Sequence, residues 1–222
     1  MATFYVQRLH PMLRMDRPLR ACSDGSGRSA LLSQGSLDSA CGIYALAMAL
    51  TLLEIIDREH ALRLLHSRQT ALKRIRRWTE SVFHSGMSEN DLAAAVEAAS
   101  LNINVSRGES GEHQACLSHG LRGLRNGHVA ILGIDSRGGA FHHWVVAAGL
   151  GGEEEDGHFR PSSILCLDSY SRAWPYCEFN ARLSLTIPRP SARYLLYSSS
   201  KTPRTLVTVS NSVVLSNRRP RG

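Results

Sequence analysis

A chain of 222 residues suits one domain with short extensions, and 43% hydrophobic against 20% charged residues is the mixture of a folded protein, not a disordered one. The formal net charge is +7, nearly all of it arginine, because Lys73 and Lys201 are the only lysines. The basic residues gather only at Lys73-Arg74-Arg76-Arg77, near the start and at Arg218-Arg219-Arg221, with no interleaved aromatics. That is the pattern of a solvated helix face and two chain ends, so it argues against nucleic acid and leaves an acidic protein as a candidate partner.

Thr3–Val6 reads as a short strand and Ser23–Ser29 as a loop, so residues 1–30 form an N-terminal arm and loop ahead of a domain spanning 31–200. Ser33–Ser36 continues the loop. Asp38 or Ser39 is then placed to cap a helix whose run from Ala40 to Ile56 is apolar almost all round, the mark of a helix buried in a core. Arg58–Val82 is amphipathic, with Leu62, Leu65, Leu72, Ile75 and Trp78 between arginines. Ser88 and Asp91 form a capping box opening a helix over Glu89–Ser100, and Leu101–Val105 alternates as a half-buried strand. Arg107–Ser118 reads as a polar loop and Leu117–Arg125 as a short helix.

The period then changes. Val129–Ile134 is a buried strand, Asp135–Gly139 a hairpin turn and Trp144–Ala148 the returning strand. Gly149–Pro161, with Glu153-Glu154-Glu155, reads as an exposed loop, followed by strands at Ser163–Leu167, Leu183–Ile187 and Tyr194–Tyr197. Residues 201–222 read as a basic, partly disordered C-terminal tail carrying a strand-like patch from Thr205 toward Leu215. Helices first and antiparallel strands after imply an α+β domain with its helices on one side of a sheet.

Five cysteines, Cys22, Cys41, Cys116, Cys166 and Cys177, are odd in number and contain no CxxC pair, which speaks against a secreted disulfide framework or a zinc ribbon. The longest apolar stretch is too short to span a membrane, and no apolar signal-peptide core follows the basic start. The expectation is a protein cytoplasmic where it is made, with export by a leaderless route left open.

Thiol catalysis needs a cysteine where its thiolate is favoured, a histidine to hydrogen-bond it and a polar group to orient that histidine. Cys41 stands at the start of the buried helix, where the backbone dipoles favour an anion, and Gly42 beside it allows a substrate backbone to approach. His143 stands at the start of a strand just past a hairpin turn. Its neighbour His142 is the alternative, since successive strand residues face opposite ways. Asp168 ends the strand that follows and can orient the imidazole. Gln34, in the loop before the helix, can aim its amide at a developing oxyanion. A metal held by Cys166, His142 or His143, and Asp168 lacks the short paired spacing of known ligand sets.

Gln34, Asp38-Ser39-Ala40-Cys41-Gly42, His143-Trp144-Val145-Val146 and Leu167-Asp168-Ser169 together resemble papain-like cysteine peptidases, nearest to the bacterial group that processes bacteriocin leaders. The similarity spans roughly Ser33 to Tyr170 in three short patches. It implies a papain-like fold and a Cys41-His143-Asp168 triad with Gln34 at the oxyanion. It also implies a protein or peptide substrate and no cofactor. The gap from Gln34 to Cys41 is one residue longer than the commonest spacing, and no transporter segment accompanies the domain. Bacterial effectors of related fold include glutamine deamidases and acyl transferases, so the resemblance implies an activated thiol with those activities as alternatives to proteolysis. A non-catalytic module docking an acidic partner is the reading from another class.

Overall fold

The computed structural model describes residues 3–11, 13–16, 20–22, 30–34, 40–63, 70–80, 86–174, 177, 179–186 and 193–218. The fold is α+β, with N-terminal helices packed on a six-stranded antiparallel β-barrel.

Helix α1 (Cys41–Leu52) buries every residue but Tyr44, as its uniformly apolar sequence requires. Thr51 satisfies its hydroxyl within the helix by donating to the Ala47 carbonyl at 2.8 Å. Ala40 occupies the N-cap and has no side-chain oxygen to offer; Asp38 and Ser39, expected to cap the helix, lie outside the described residues. The described part of the amphipathic stretch beyond holds α2 (Arg58–Leu62) and α3 (Thr70–Glu80). Leu72 and Ile75 are buried while Lys73, Arg74 and Arg77 face solvent, so this basic cluster is a solvated helix face. Helix α4 (Glu89–Ala98) begins at the expected capping box: the Asp91 amide donates to Ser88 Oγ, and Asp91 Oδ2 accepts from the Ser88 amide at 2.9 Å. No helix among the described residues is long and apolar enough to cross a membrane.

The barrel strands are β5 (Val129–Ser136), β6 (His142–Glu155), β7 (His158–Leu167), β8 (Ala181–Ser184), β9 (Leu195–Ser199) and β10 (Thr205–Asn217). Their order β6-β5-β10-β9-β8-β7 closes through the β6–β7 pairing, so the expected layered sheet curls shut on itself and loses its open edges. Two long strands achieve this by changing partners. The first part of β6 pairs with β5 and its later part with β7, with register shifts near Ala147 and Gly151. Likewise β10 pairs with β9, β5 and β4 (Ile103–Arg107) along its length.

Alternation along the strands divides the core in two. Val129, Ile131, Trp144 and Val146 face α1 and α4, whereas Ala130, Leu132, Val145 and Ala147 face the barrel interior with Cys166, Leu183 and Val209. Helix α5 (His113–Arg125) packs on that second cluster through Cys116 and Leu117. It starts inside the segment expected to be loop, because these apolar residues need cover.

Two further expectations are corrected. Gly149–Pro161 is not an exposed loop: β6 and β7 run through it and meet at a two-residue turn, Asp156-Gly157, with φ of 50° and 77°. Strand β1 (Phe4–Leu9) from the N-terminal arm lies against the extended part of β6, pairing Phe4 through Leu9 with Glu154 through Gly149. Residues 201–222 are not a tail over most of their length, since β10 is a barrel strand with Val207, Val209, Val213 and Leu215 buried. Arg218, from the basic end, donates its amide to the Asn102 carbonyl, while Arg219 and Arg221 lie outside the described residues. A short ribbon of β2 (Arg14–Asp16) and β3 (Arg20–Cys22) completes the described strands.

Candidate active site

The N-terminus of α1, the start of β6 and the end of β7 meet at one side of the barrel. Cys41 is the first residue of α1, 9% exposed, on the wall of a cleft of about 710 Å³. Gln34, Met87, Ser88, Asp91, His143, Asp168 and Tyr170 line the same cleft. The four residues singled out from the sequence are therefore brought together, although they lie up to 134 positions apart (Gln34 to Asp168).

His143 is held from two sides. Its Nε2–H donates to Asp168 Oδ1 at 2.7 Å, and it is also hydrogen-bonded to Cys41. With Nε2 engaged by the carboxylate, Nδ1 is the ring nitrogen left for the thiol. Burial on its own would lower the histidine. Its hydrogen bonds to Asp168 and Cys41, with the negative charge of both, outweigh that and raise it from 6.5 to about 9. His143 is thus an imidazolium at neutral pH.

His142 takes another direction: its Nδ1 meets Asp135 Oδ1 at 2.6 Å on the exposed rim of the cleft, and its ring stands edge-on to Trp144. Of the two histidines, His143 is the one joined to Cys41 and Asp168.

Asp168 is 1% exposed and follows directly on β7. Burial opposes its charge, but the hydrogen bond and charge of His143 and the hydroxyls of Ser171 and Tyr197 hold the carboxyl below its usual range. Its backbone is clamped by Asn180, which accepts from the Asp168 amide and donates to the carbonyls of Asp168 and Ser171 at 2.7 and 2.8 Å. The sequence reading missed Asn180, Ser171 and Tyr197. Only Tyr197 carried a signal, because a phenol on a buried strand face needs a partner for its hydroxyl.

Gln34 is fixed at its backbone and at its side-chain oxygen. Its backbone N–H donates to the Ser169 carbonyl at 2.9 Å, and its Oε1 accepts from Ser169 Oγ at 2.6 Å, which leaves Nε2 as the donor end of a cleft-lining side chain. Gly42 has a different task from the one expected. A Cβ there would lie 2.9 Å from Met87 Cβ and 3.3 Å from Trp144 Cδ1, so the glycine lets α1 pack against the cleft wall and opens no path for substrate. Trp144 Nε1–H donates to the Met87 carbonyl at 2.8 Å and pins that wall in place.

The remaining described cysteines are buried or differently placed. Cys166 faces the barrel interior, where burial and then the Asp168 charge push its thiol far up. Cys116, raised by burial, is on the buried face of α5, with its thiol in reach of the Glu109 and Ser210 carbonyls. Among the described residues no three metal-binding side chains converge, and the considered set of Cys166, His142 or His143, and Asp168 is not assembled.

The His143–Asp168 pair also sets a pH dependence of stability. A histidine raised on folding stabilises most below its unfolded value of 6.5 and loses this as pH climbs through about 9. A lowered carboxylate stabilises above its unfolded value of 3.8 and loses this as pH falls further. Unfolding in urea should show a plateau between about pH 4 and 6.5, then a fall toward pH 9 of at most about 3 kcal/mol from this pair. The same series in His143→Gln should lack that fall.

No protein-family model matches the chain, and a search of curated proteins finds no match.

Proposed function

We propose that the chain is a thiol-dependent hydrolase of papain-like fold that cleaves a peptide bond through Cys41, His143 and Asp168. The observation that carries this reading is a half-buried imidazole bound at once to a carboxylate and to a cysteine at a helix N-terminus, on the wall of an open cleft.

In the proposed reaction the Cys41 thiolate adds to the substrate carbonyl carbon. A C–S bond forms, and the C=O π electrons move onto oxygen. The Gln34 Nε2–H and the Cys41 backbone N–H receive that oxyanion. As the carbonyl reforms, the C–N bond breaks and the His143 imidazolium gives its proton to the departing nitrogen. Water, losing a proton to His143, then attacks the thioester and frees the carboxylic acid and Cys41. Asp168 keeps the ring oriented throughout and stabilises its charged form whenever it holds the proton. No step requires a cofactor.

Among the described residues that line the cleft none is lysine or arginine, although the chain carries 26 such residues. The positive charge is therefore not gathered on the site, and the cleft favours a neutral or basic peptide over an acidic partner. Deamidation of a protein glutamine uses the same thiolate and differs only in the nitrogen released.

The test is incubation with a peptide mixture, acid quenching and mass spectrometry. New peptide termini and an acyl mass on the Cys41 tryptic peptide are expected. Release of ammonia with no new termini would replace proteolysis by deamidation. Products that persist after complete alkylation of the cysteines would overturn the thiol reading.

A further inference from the structure

We propose that Tyr197 and Ser171 are positioning residues of the thiol site, whose hydroxyls hold Oδ2 of Asp168 so that Oδ1 stays aimed at Nε2 of His143. This rests on the reading of Cys41 and His143 as the reacting pair.

A carboxylate bonded through one oxygen alone can swing about its Cβ–Cγ bond. Here both oxygens are taken. Oδ1 accepts from His143 and from the Tyr170 amide at 2.8 Å, while Oδ2 accepts from Ser171 Oγ at 2.6 Å and from Tyr197 Oη at 2.7 Å. The donors come from separate elements: β6, the turn after β7, and β9. The carboxylate is therefore fixed in plane and in rotation. Buried and fully bonded to donors, it keeps its charge, and that charge is what holds the imidazolium.

Ser171 has one hydroxyl proton, which the carboxylate takes. Its contact with Ser199 Oγ at 2.7 Å is then one in which Ser199 donates, and Ser199 Oγ accepts from the Thr202 amide at 3.1 Å. Thr202 lines the cleft, so a chain of hydrogen bonds runs from the β9–β10 turn to Asp168. Burial and the Asp168 charge keep Tyr197 well above the ordinary phenol range, so it remains a donor across any workable pH.

The titratable groups facing the pair are Cys41 from α1, Cys166 from β7, Tyr170 from the turn that follows and Tyr197 from β9. Lys201 lies over the Tyr170 ring at 6.0 Å. Of these, only Tyr197 is both a neutral donor to Asp168 and removable with its packing kept, since phenylalanine retains the ring.

The experiment follows the His143 imidazole by NMR titration in wild type, Tyr197→Phe and Ser171→Ala, alongside kcat and KM on a cleaved peptide. Each single variant is expected to lower the His143 midpoint by about one pH unit, and to reduce kcat about tenfold with KM unchanged. Should Tyr197→Phe fail to fold, Ser171→Ala, which removes one small hydroxyl, decides the matter. A His143 midpoint equal to wild type in a folded variant overturns the proposal. The titration needs no turnover, so a shifted midpoint without any peptide cleavage would uphold the positioning role and reject the hydrolase reading alone.

Discussion

His143→Ala is expected to lower turnover by about a thousandfold to a millionfold while the fold survives. The side chain sits at the cleft end of β6, 13% exposed, and makes its bonds to Asp168 and Cys41, neither of which shapes the barrel. In the proposed reaction, deleting it removes the proton donor to the leaving nitrogen and the cation beside the thiol in one step. It also leaves Asp168 as a buried carboxylate with three donors in place of four, so a modest loss of stability should accompany the loss of activity. Turnover within tenfold of wild type would show that His143 takes no part in the reaction. Circular dichroism and urea unfolding separate loss of chemistry from loss of fold.

Asp168→Asn should damage both. The substituted amide presents an N–H₂ where the carboxylate had an oxygen, so two of the four donors converging on it would face another donor. Breaking a buried, charged network in this way costs about 3–5 kcal/mol. The imidazole also loses its counter-charge, so His143 should titrate well below about 9 and be mostly neutral at physiological pH. Activity should fall by about a hundredfold to ten-thousandfold, through kcat more than KM. A variant that is as stable as wild type and as active would remove Asp168 from the account. The effects of His143→Ala and Asp168→Asn should not add, because both act through the same proton.

The helical half was readable in residue pattern. The unbroken apolar run after Ala40 had to be a core helix, and Ser88 with Asp91 forms the capping box of α4 as expected. The barrel was harder, for physical reasons that can be named. Closure depends on β6 and β10 changing partners along their length, and a strand pattern states which face is buried but not which neighbour it meets. The Asp156-Gly157 turn was a hairpin signal hidden by Glu153-Glu154-Glu155, because that polar run suggested a loop where β6 continues as a strand paired with β1 and β7. The polar surroundings of β10 masked Val207, Val209, Val213 and Leu215 in the same way.

At the site, Cys41, His143, Asp168 and Gln34 were legible because each residue type matches a chemical requirement at the end of an element. Their supports were not. Asn180 reaches Asp168 from beyond the turn that follows β7, which no local spacing encodes, whereas Ser171 lies in that same turn, three residues on, and was overlooked. Gly42 was misread because its close neighbours, Met87 and Trp144, are distant in sequence.

The most direct test of Cys41 and His143 as a reacting pair is the rate at which iodoacetamide modifies each of the five cysteines near pH 6.5, followed by peptide mapping in wild type and in His143→Ala. Cys41 is expected to react first in wild type, and at least about tenfold more slowly once His143 is gone, because the thiolate then loses its adjacent cation. Equal rates for Cys41 in the two proteins, or labelling of Cys41 no faster than of the other four, would contradict the account.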